Sequence, residues 1–226
     1  MDRSTWWQGV KSMVPLAVSI AGCGVAWGTL ARQGGMTLPE IFLMSSVVFA
    51  GASQFVAVGM LGAGAGMGEI ILTTLILNLR HLLMGAALAP YFRRLAPWRT
   101  ALLAHGLVDE TFALAAERFR TTGGDAAFFL GTGTLAFVSW NAATLLGAFV
   151  GSGTLNPRDY ALDFAFLGAF TGLLVPQIRS RSTLLAFLAA AATALGGRFV
   201  ASERTVVLLS AVAAAVAGVW GERHAN

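Results

Sequence analysis

Residues 67–90 form an apolar run with an arginine near its centre, long enough to cross a bilayer at ~1.5 Å per helical residue. Its core reads Thr73-Thr74-Leu75-Ile76-Leu77-Asn78-Leu79-Arg80-His81-Leu82-Leu83-Met84. A guanidinium held against lipid at that depth costs from ~3 to over 10 kcal/mol. Arg80 is therefore expected to face protein, water or a counter-charge. On an ideal helix Asn78 and His81 lie about 60° apart, and Arg80 about 160° from Asn78. The three share one face only if the helix breaks or is enclosed by protein. This polar triplet is the predicted centre of a membrane protein.

The remainder of the chain suits the same solvent. Of its 226 residues 56% are hydrophobic and 12% charged, against about 25% charged in an average globular protein. So few charges cannot coat a globule of this size. The expected fold is all-α, a polytopic membrane bundle of about six to seven transmembrane segments, some of them discontinuous. Residues 1–226 are read as a single membrane transport domain. Lys11 is the lone lysine, and the arginines are scattered between apolar runs. That scatter argues against nucleic acid as a partner and for contact with the lipid bilayer at the ends of spans. A single Cys23 excludes an intrachain disulfide and a multi-cysteine metal site. No cofactor is expected.

Taken in order, the first apolar segment runs from about Ser12 to Ala31 and stops at Gln33-Gly34-Gly35. Within it Ile20-Ala21-Gly22-Cys23 resembles a lipoprotein cleavage box, but the run exceeds a signal core, so it is expected to stay as a helix. The second begins after Thr37-Leu38-Pro39-Glu40, where Thr37 caps and Pro39 and Glu40 suit the first turn. It continues to about Leu61, and the small-residue stretch Gly62–Gly68 turns into the segment carrying Arg80. Arg93, Arg94, Pro97, Trp98 and Arg99 make an interfacial belt. Residues 100–119 are less apolar and either cross, re-enter or lie in a cavity. Further apolar segments cover about 126–150, 160–175, 182–195 (after the Arg179-Ser180-Arg181 turn) and 205–220. With seven spans, Lys11 and the arginines flanking these segments divide equally between the two sides, which leaves the orientation open. Gly24 with Gly28, Gly147 with Gly151, and Gly168 with Gly172 form G-x-x-x-G steps suited to close helix packing.

Several polar residues lie inside these apolar segments. Gln54, in Phe49-Ala50-Gly51-Ala52-Ser53-Gln54-Phe55, needs partners in a medium without water. It serves either a helix–helix hydrogen bond or a substrate, with Gly51 and Ala52 exposing backbone carbonyls. Arg80, with Asn78 beside it, suits a carboxylate, since its planar fork binds that group bidentately; Asp109, Glu110 and Asp163 are its candidate counter-ions. His105 and Asp109, at i and i+4, are expected on one helix face with Glu110 about 100° away. With His81 and Asp163 they form the candidate coupling or proton-relay set. Trp140 and Thr144 share a face with Asn141 adjacent, an apolar wall with a polar handle. The candidate substrate residues are thus Gln54, Asn78, Arg80, Trp140 and Asn141. No HExxH, G-x-S-x-G or Walker A pattern is present, so an enzyme or a nucleotide-driven pump is not expected.

The Phe49–Phe55 run, followed by Asn78-Leu79-Arg80-His81 with Met84-Gly85, resembles the AzlC family of branched-chain amino acid permeases. Asp109-Glu110 with Phe112, Trp140 with Gly147, and Leu162-Asp163-Phe164-Ala165 extend the resemblance in order over nearly the whole chain. It implies a multi-pass subunit of the bacterial inner membrane that exports valine, leucine, isoleucine or analogues. It also implies a small AzlD-type integral membrane partner. No site residue is carried over from the family. Secondary active transport is the expected mechanism. The competing readings are an intramembrane enzyme using His105 and Asp109, whose activity would fail when either is changed, and a non-transporting membrane scaffold, which would tolerate changes at Arg80 and Gln54.

Overall fold

The structure, a computed structural model, describes residues 2–152, 171, 175, 178, 180–200 and 203–224. Every regular element among them is helical. The helices are α1 (Arg3–Gln33), α2 (Leu38–Leu43) with a π turn at Met44–Val48, α3 (Gly51–Gly62), α4 (Met67–Asn78) and α5 (Arg80–Phe92). They continue with α6 (Pro97–His105), α7 (Asp109–Thr122), α8 (Ala126–Gly151), α9 (Arg181–Gly197) and α10 (Glu203–Arg223). Three described stretches are long and apolar enough to cross a membrane: Arg3–Gln33, Met67–Phe92 and Ala126–Gly151. Residues 1–169 and 170–226 make two compact units.

The first unit is built on α1 and α8. Asp2 starts α1, accepting from the Ser4 N–H at 3.0 Å and from the Ser4 and Thr5 hydroxyls at 2.6 and 2.8 Å. Asp125 starts α8, accepting from the Ala127 and Phe128 N–H groups. The two helices run parallel in contact. Gly9 faces Phe128 and Thr132, Gly24 faces Trp140 and Ala143, and Gly28 faces Thr144 and Ala148. A Cβ at Gly28 would collide with the Thr144 carbonyl, and one at Gly147 with that of Val25. The Thr29 hydroxyl lies 3.0 Å from the Gly147 carbonyl and 2.9 Å from that of Val25, so its one proton is shared. Small residues let the backbones approach this closely. The pairs Gly24/Gly28 and Gly147/Gly151 therefore sit in one seam; Gly168 and Gly172 lie outside the described residues.

Between α1 and α8 lie the discontinuous elements. The second apolar segment, read as one span from about Pro39 to Leu61, folds back on itself. Glu40 accepts from the N–H and hydroxyl of Thr37 at 2.7 Å each, starting α2 at the C-terminal end of α1. α2 then descends along α8, with Ser45 on Thr144, Ser46 on Asn141 and Phe49 on Phe137. At Phe49 the backbone enters the left-handed region (φ 43°, ψ 47°). α3 returns from there: Gly51 lies against the Trp140 ring, and Val58 reaches Gly34 at the end of α1. A bulky residue in a left-handed conformation cannot continue a right-handed helix.

The segment carrying Arg80 does pass from one end to the other, with a break at Leu79 bridged by the three-residue bonds Leu79 N–H to Ile76 O and Leu82 N–H to Leu79 O. α5 ends against the start of α8, where Phe92 meets Phe119 and Phe129. Residues 97–122 form a second hairpin, entering from that same end. Pro97 opens α6, Gly106–Val108 interrupt the helix, and α7 returns to place Ala115 and Phe119 in the core with Leu88, Phe92, Phe128 and Phe129. In the second unit α9 and α10 pack antiparallel, Gly197 against Val206 and Gly221 against Ser182.

Candidate functional site at the hairpin tips

The two hairpin tips and the Leu79 break converge beside the middle of α8. Phe137 lies ~18 Å along α8 from its N-cap and ~22 Å from its C-cap at 1.5 Å per residue. Around it the rings of Phe49 and His105 stand 5.9 Å apart, each under 6 Å from Phe137 (5.2 and 5.7 Å). The three rings close the space between the tips.

The first tip is held by side chains that stand in for missing helical bonds. Gln54, fully buried, accepts from the Ala50 N–H at 3.2 Å and lies 3.5 Å from Ser45 Oγ through its amide nitrogen. Ser45 Oγ donates to Thr144 Oγ1 at 3.2 Å. Asn141 accepts from the Ser46 hydroxyl at 2.8 Å and donates to the Phe137 carbonyl at 3.0 Å. Both amides thus bond within the protein. Trp140 stacks on Trp27, centroids 6.2 Å apart, and a Cβ on Gly51 would come within 3.1 Å of its ring. The indole N–H groups of Trp27 and Trp140 are buried with no partner among the described residues. The first turn of α3 directs N–H groups, rather than the expected carbonyls of Gly51 and Ala52, toward the tip.

The second tip brings charge. Asp109 and Glu110 open α7, where a helix N-terminus favours carboxylates. Asp109 pairs with Arg80 at 2.7 Å, the two side chains 50% and 33% exposed. Arg80 Nε and Asn78 Oδ1 are buried without a partner among the described residues. His81 turns its ring back to the Asn78 carbonyl at 3.1 Å. The break between Asn78 and Arg80 thus meets the condition set by their helical angles. His105 and Asp109 do not share a helix face as expected: His105 ends α6, Asp109 begins α7, and the three residues between them form the bend. His105 faces Phe49, whereas Asp109 faces Arg80. Asp163 lies outside the described residues.

Several contributors carried no sequence signal. Thr111 ties the second tip, accepting from the Val108 N–H at 2.9 Å and lying 2.8 Å from the Gly106 carbonyl. Ser45 and Ser46 do the same for the first by bonding Thr144 and Asn141, and Phe137 joins both. A cavity of about 320 Å³ opens between α6 and α8, walled by Leu102, Leu103, Phe129 and Leu130 with His105 and Thr134 as its polar members. No cluster of metal-ligating side chains occurs among the described residues.

Residues 15–153, from within α1 to just past α8, match the family model described as AzlC protein. The chain is 32% identical over 222 residues to "Inner membrane protein YgaZ" of Escherichia coli, covering 96% of this chain and 87% of that one. An "Uncharacterized membrane protein" of Archaeoglobus fulgidus is 28% identical, with 94% of each covered. The "Branched-chain amino acid transport protein AzlC" of Bacillus subtilis is 29% identical over 77% of this chain and 70% of that one. No solved structure matches. The hairpins, the Arg80–Asp109 pair and the α1–α8 seam beyond Gly9 fall inside the matched region, and this multi-pass membrane protein belongs to the AzlC family.

Proposed function

We propose that this chain is the carrier subunit of a bacterial inner-membrane exporter of branched-chain amino acids, working by secondary active transport. One observation carries the reading: a half-exposed Arg80–Asp109 pair stands where a broken helix meets a helical hairpin, about midway along the bundle. Breaks at that depth supply polar backbone and side chains to a substrate that lipid would reject. A zwitterion enters by exchange. Its carboxylate takes the Arg80 fork from Asp109, and its ammonium takes Asp109, so one ion pair becomes two and no charge is left uncompensated. Phe137, with Leu102, Leu103 and Leu130 around the α6–α8 cavity, offers an apolar surface for a valine, leucine or isoleucine side chain. Such a surface separates these only weakly, one methylene being worth ~1–3 kcal/mol. The likeness to a protein named for branched-chain amino acid transport supports this substrate class. A small AzlD-type membrane subunit completes the assembly, and a proton or the membrane potential drives it.

The test is efflux of labelled leucine and valine from cells carrying this chain with and without its small partner. Efflux that depends on the chain and on Arg80 is the expected result. Unchanged intracellular amino acid retention in both strains would refute the function.

A further inference from the structure

The two hairpins repeat one design. Pro39 and Pro97 stand 58 positions apart, and the same shift carries Phe49–Ala50 onto Leu107–Val108 and Ser53 onto Thr111. Both prolines occupy the first turn of the leading helix. Ser53 and Thr111 are fully buried. Each hydroxyl lies within bonding distance of a carbonyl three residues earlier, Ala50 at 2.9 Å and Val108 at 3.0 Å. A long helix precedes each hairpin, α1 the first and α4–α5 the second, and these two run in opposite directions. A helix plus a hairpin, repeated upside down, is the inverted-repeat plan of membrane carriers.

The basic residues give an independent reading. If both hairpin segments crossed the membrane, Arg3, Lys11, Arg118 and Arg120 would lie on one side and Arg32, Arg93, Arg94 and Arg99 on the other, an even division. With each hairpin entering and leaving on one side, the Arg93–Arg94–Arg99 belt joins Arg3, Lys11, Arg118 and Arg120. Arg32 alone then remains opposite among the Lys and Arg residues flanking spans in residues 2–152. Positive charge collects in cytoplasmic segments, so the hairpin topology turns an undecided orientation into a decided one. The N-terminal end of α1 is cytoplasmic.

We propose that residues 3–62 and 67–122 are an inverted repeat whose hairpins re-enter the membrane from opposite sides, α6–α7 from the cytoplasm and α2–α3 from outside, as opposed gates over one central site. The gating clause rests on the transport function above; the topology does not. The gates touch through Phe49 and His105. Export loads past α6–α7, whose tip carries Asp109, and releases past α2–α3.

Two measurements on the full chain in membrane vesicles test this. Single cysteines are placed at exposed positions in a Cys23→Ser background and labelled with an impermeant maleimide from either side. Gln33→Cys and Ala63→Cys are expected to react at least ten-fold faster from outside, and Ala96→Cys and Thr121→Cys at least ten-fold faster from the cytoplasmic side. Opposite sides for the members of either pair mean that the segment crosses, and overturn the repeat. Phe49→Cys combined with His105→Cys is then oxidised, and its leucine flux is read against the same protein kept reduced and against each single variant treated identically. Flux at least ten-fold lower than in these controls, restored by reduction, is the expected result. Failure to crosslink overturns the tip contact, and undiminished flux through crosslinked protein overturns the gates. Absence of leucine flux in the wild-type chain removes the transport function and the gates together, while the sided labels still decide the repeat.

Discussion

Replacing Arg80 separates a structural ion pair from a transport site, because the structure makes the two costs unequal. The Arg80–Asp109 bond is 2.7 Å long and its side chains are 33% and 50% exposed; with that open side facing the aqueous path by which a substrate reaches it, rather than lipid, screening leaves the pair worth about 0.5–1 kcal/mol to folding. Arg80→Met should therefore lower the folded fraction by no more than a few-fold. A substrate carboxylate held by the guanidinium stands to lose about 1.5–3 kcal/mol for each charge-assisted hydrogen bond removed, or about 10- to 150-fold in efflux. Arg80→Lys should recover the charge but not the fork, and remain well below wild type. Asp109→Asn added to Arg80→Met removes the stranded carboxylate and should restore stability without restoring transport. Folded protein is measured by thermal unfolding in detergent beside efflux of labelled leucine. Efflux that falls in step with folded protein and returns in the double variant would assign Arg80 to structure. Wild-type efflux by Arg80→Met would end its role altogether.

Gly147→Val, whose Cβ meets the Val25 carbonyl, should abolish folded protein, whereas Gly22→Val, with open space around it, should leave yield unchanged; size-exclusion profiles of both decide it. A protonophore should collapse efflux if the proton gradient drives it, and persistence at full rate would point to a passive carrier. The chain should co-purify with its small membrane partner, and full efflux by the reconstituted single chain would remove that requirement. The Asp2 carboxyl is held down to about 2 by the Ser4 and Thr5 hydroxyls and the Ser4 N–H. Its cap on α1 is therefore complete above the ordinary aspartate range and lost only as pH falls through about 2. Amide exchange at Ser4 should stay slow at pH 4 in wild type and be fast in Asp2→Ala.

The helical class, the membrane setting, the three long crossing helices and the close G-x-x-x-G seam were all legible, because hydropathy and glycine spacing are local properties of the chain. The break at Arg80 was legible as a condition, since three polar residues on divergent faces require one. Re-entry stood as one of three readings for residues 100–119, but the first hairpin was not legible. Nothing in the run from Pro39 to Leu61 marks Phe49 for a left-handed conformation, a state held by Gln54, Ser45 and Thr144, the last about a hundred residues away. The expected shared face of His105 and Asp109 failed for the same reason: Gly106 permits a bend, but tertiary packing against Gly133 makes it. The repeat was hidden because Pro, a break and a buried hydroxyl recur while the residues between them do not.

The α1–α8 seam also restricts how this protein can move. Each glycine admits a carbonyl of the opposite helix, so sliding by one residue, ~1.5 Å, would drive Thr144 against Val25 or Thr29. The two helices therefore behave as a vernier locked at one notch. A single-residue insertion between Gly9 and Gly28 would put one end of the seam out of step with the other, whatever residue was added.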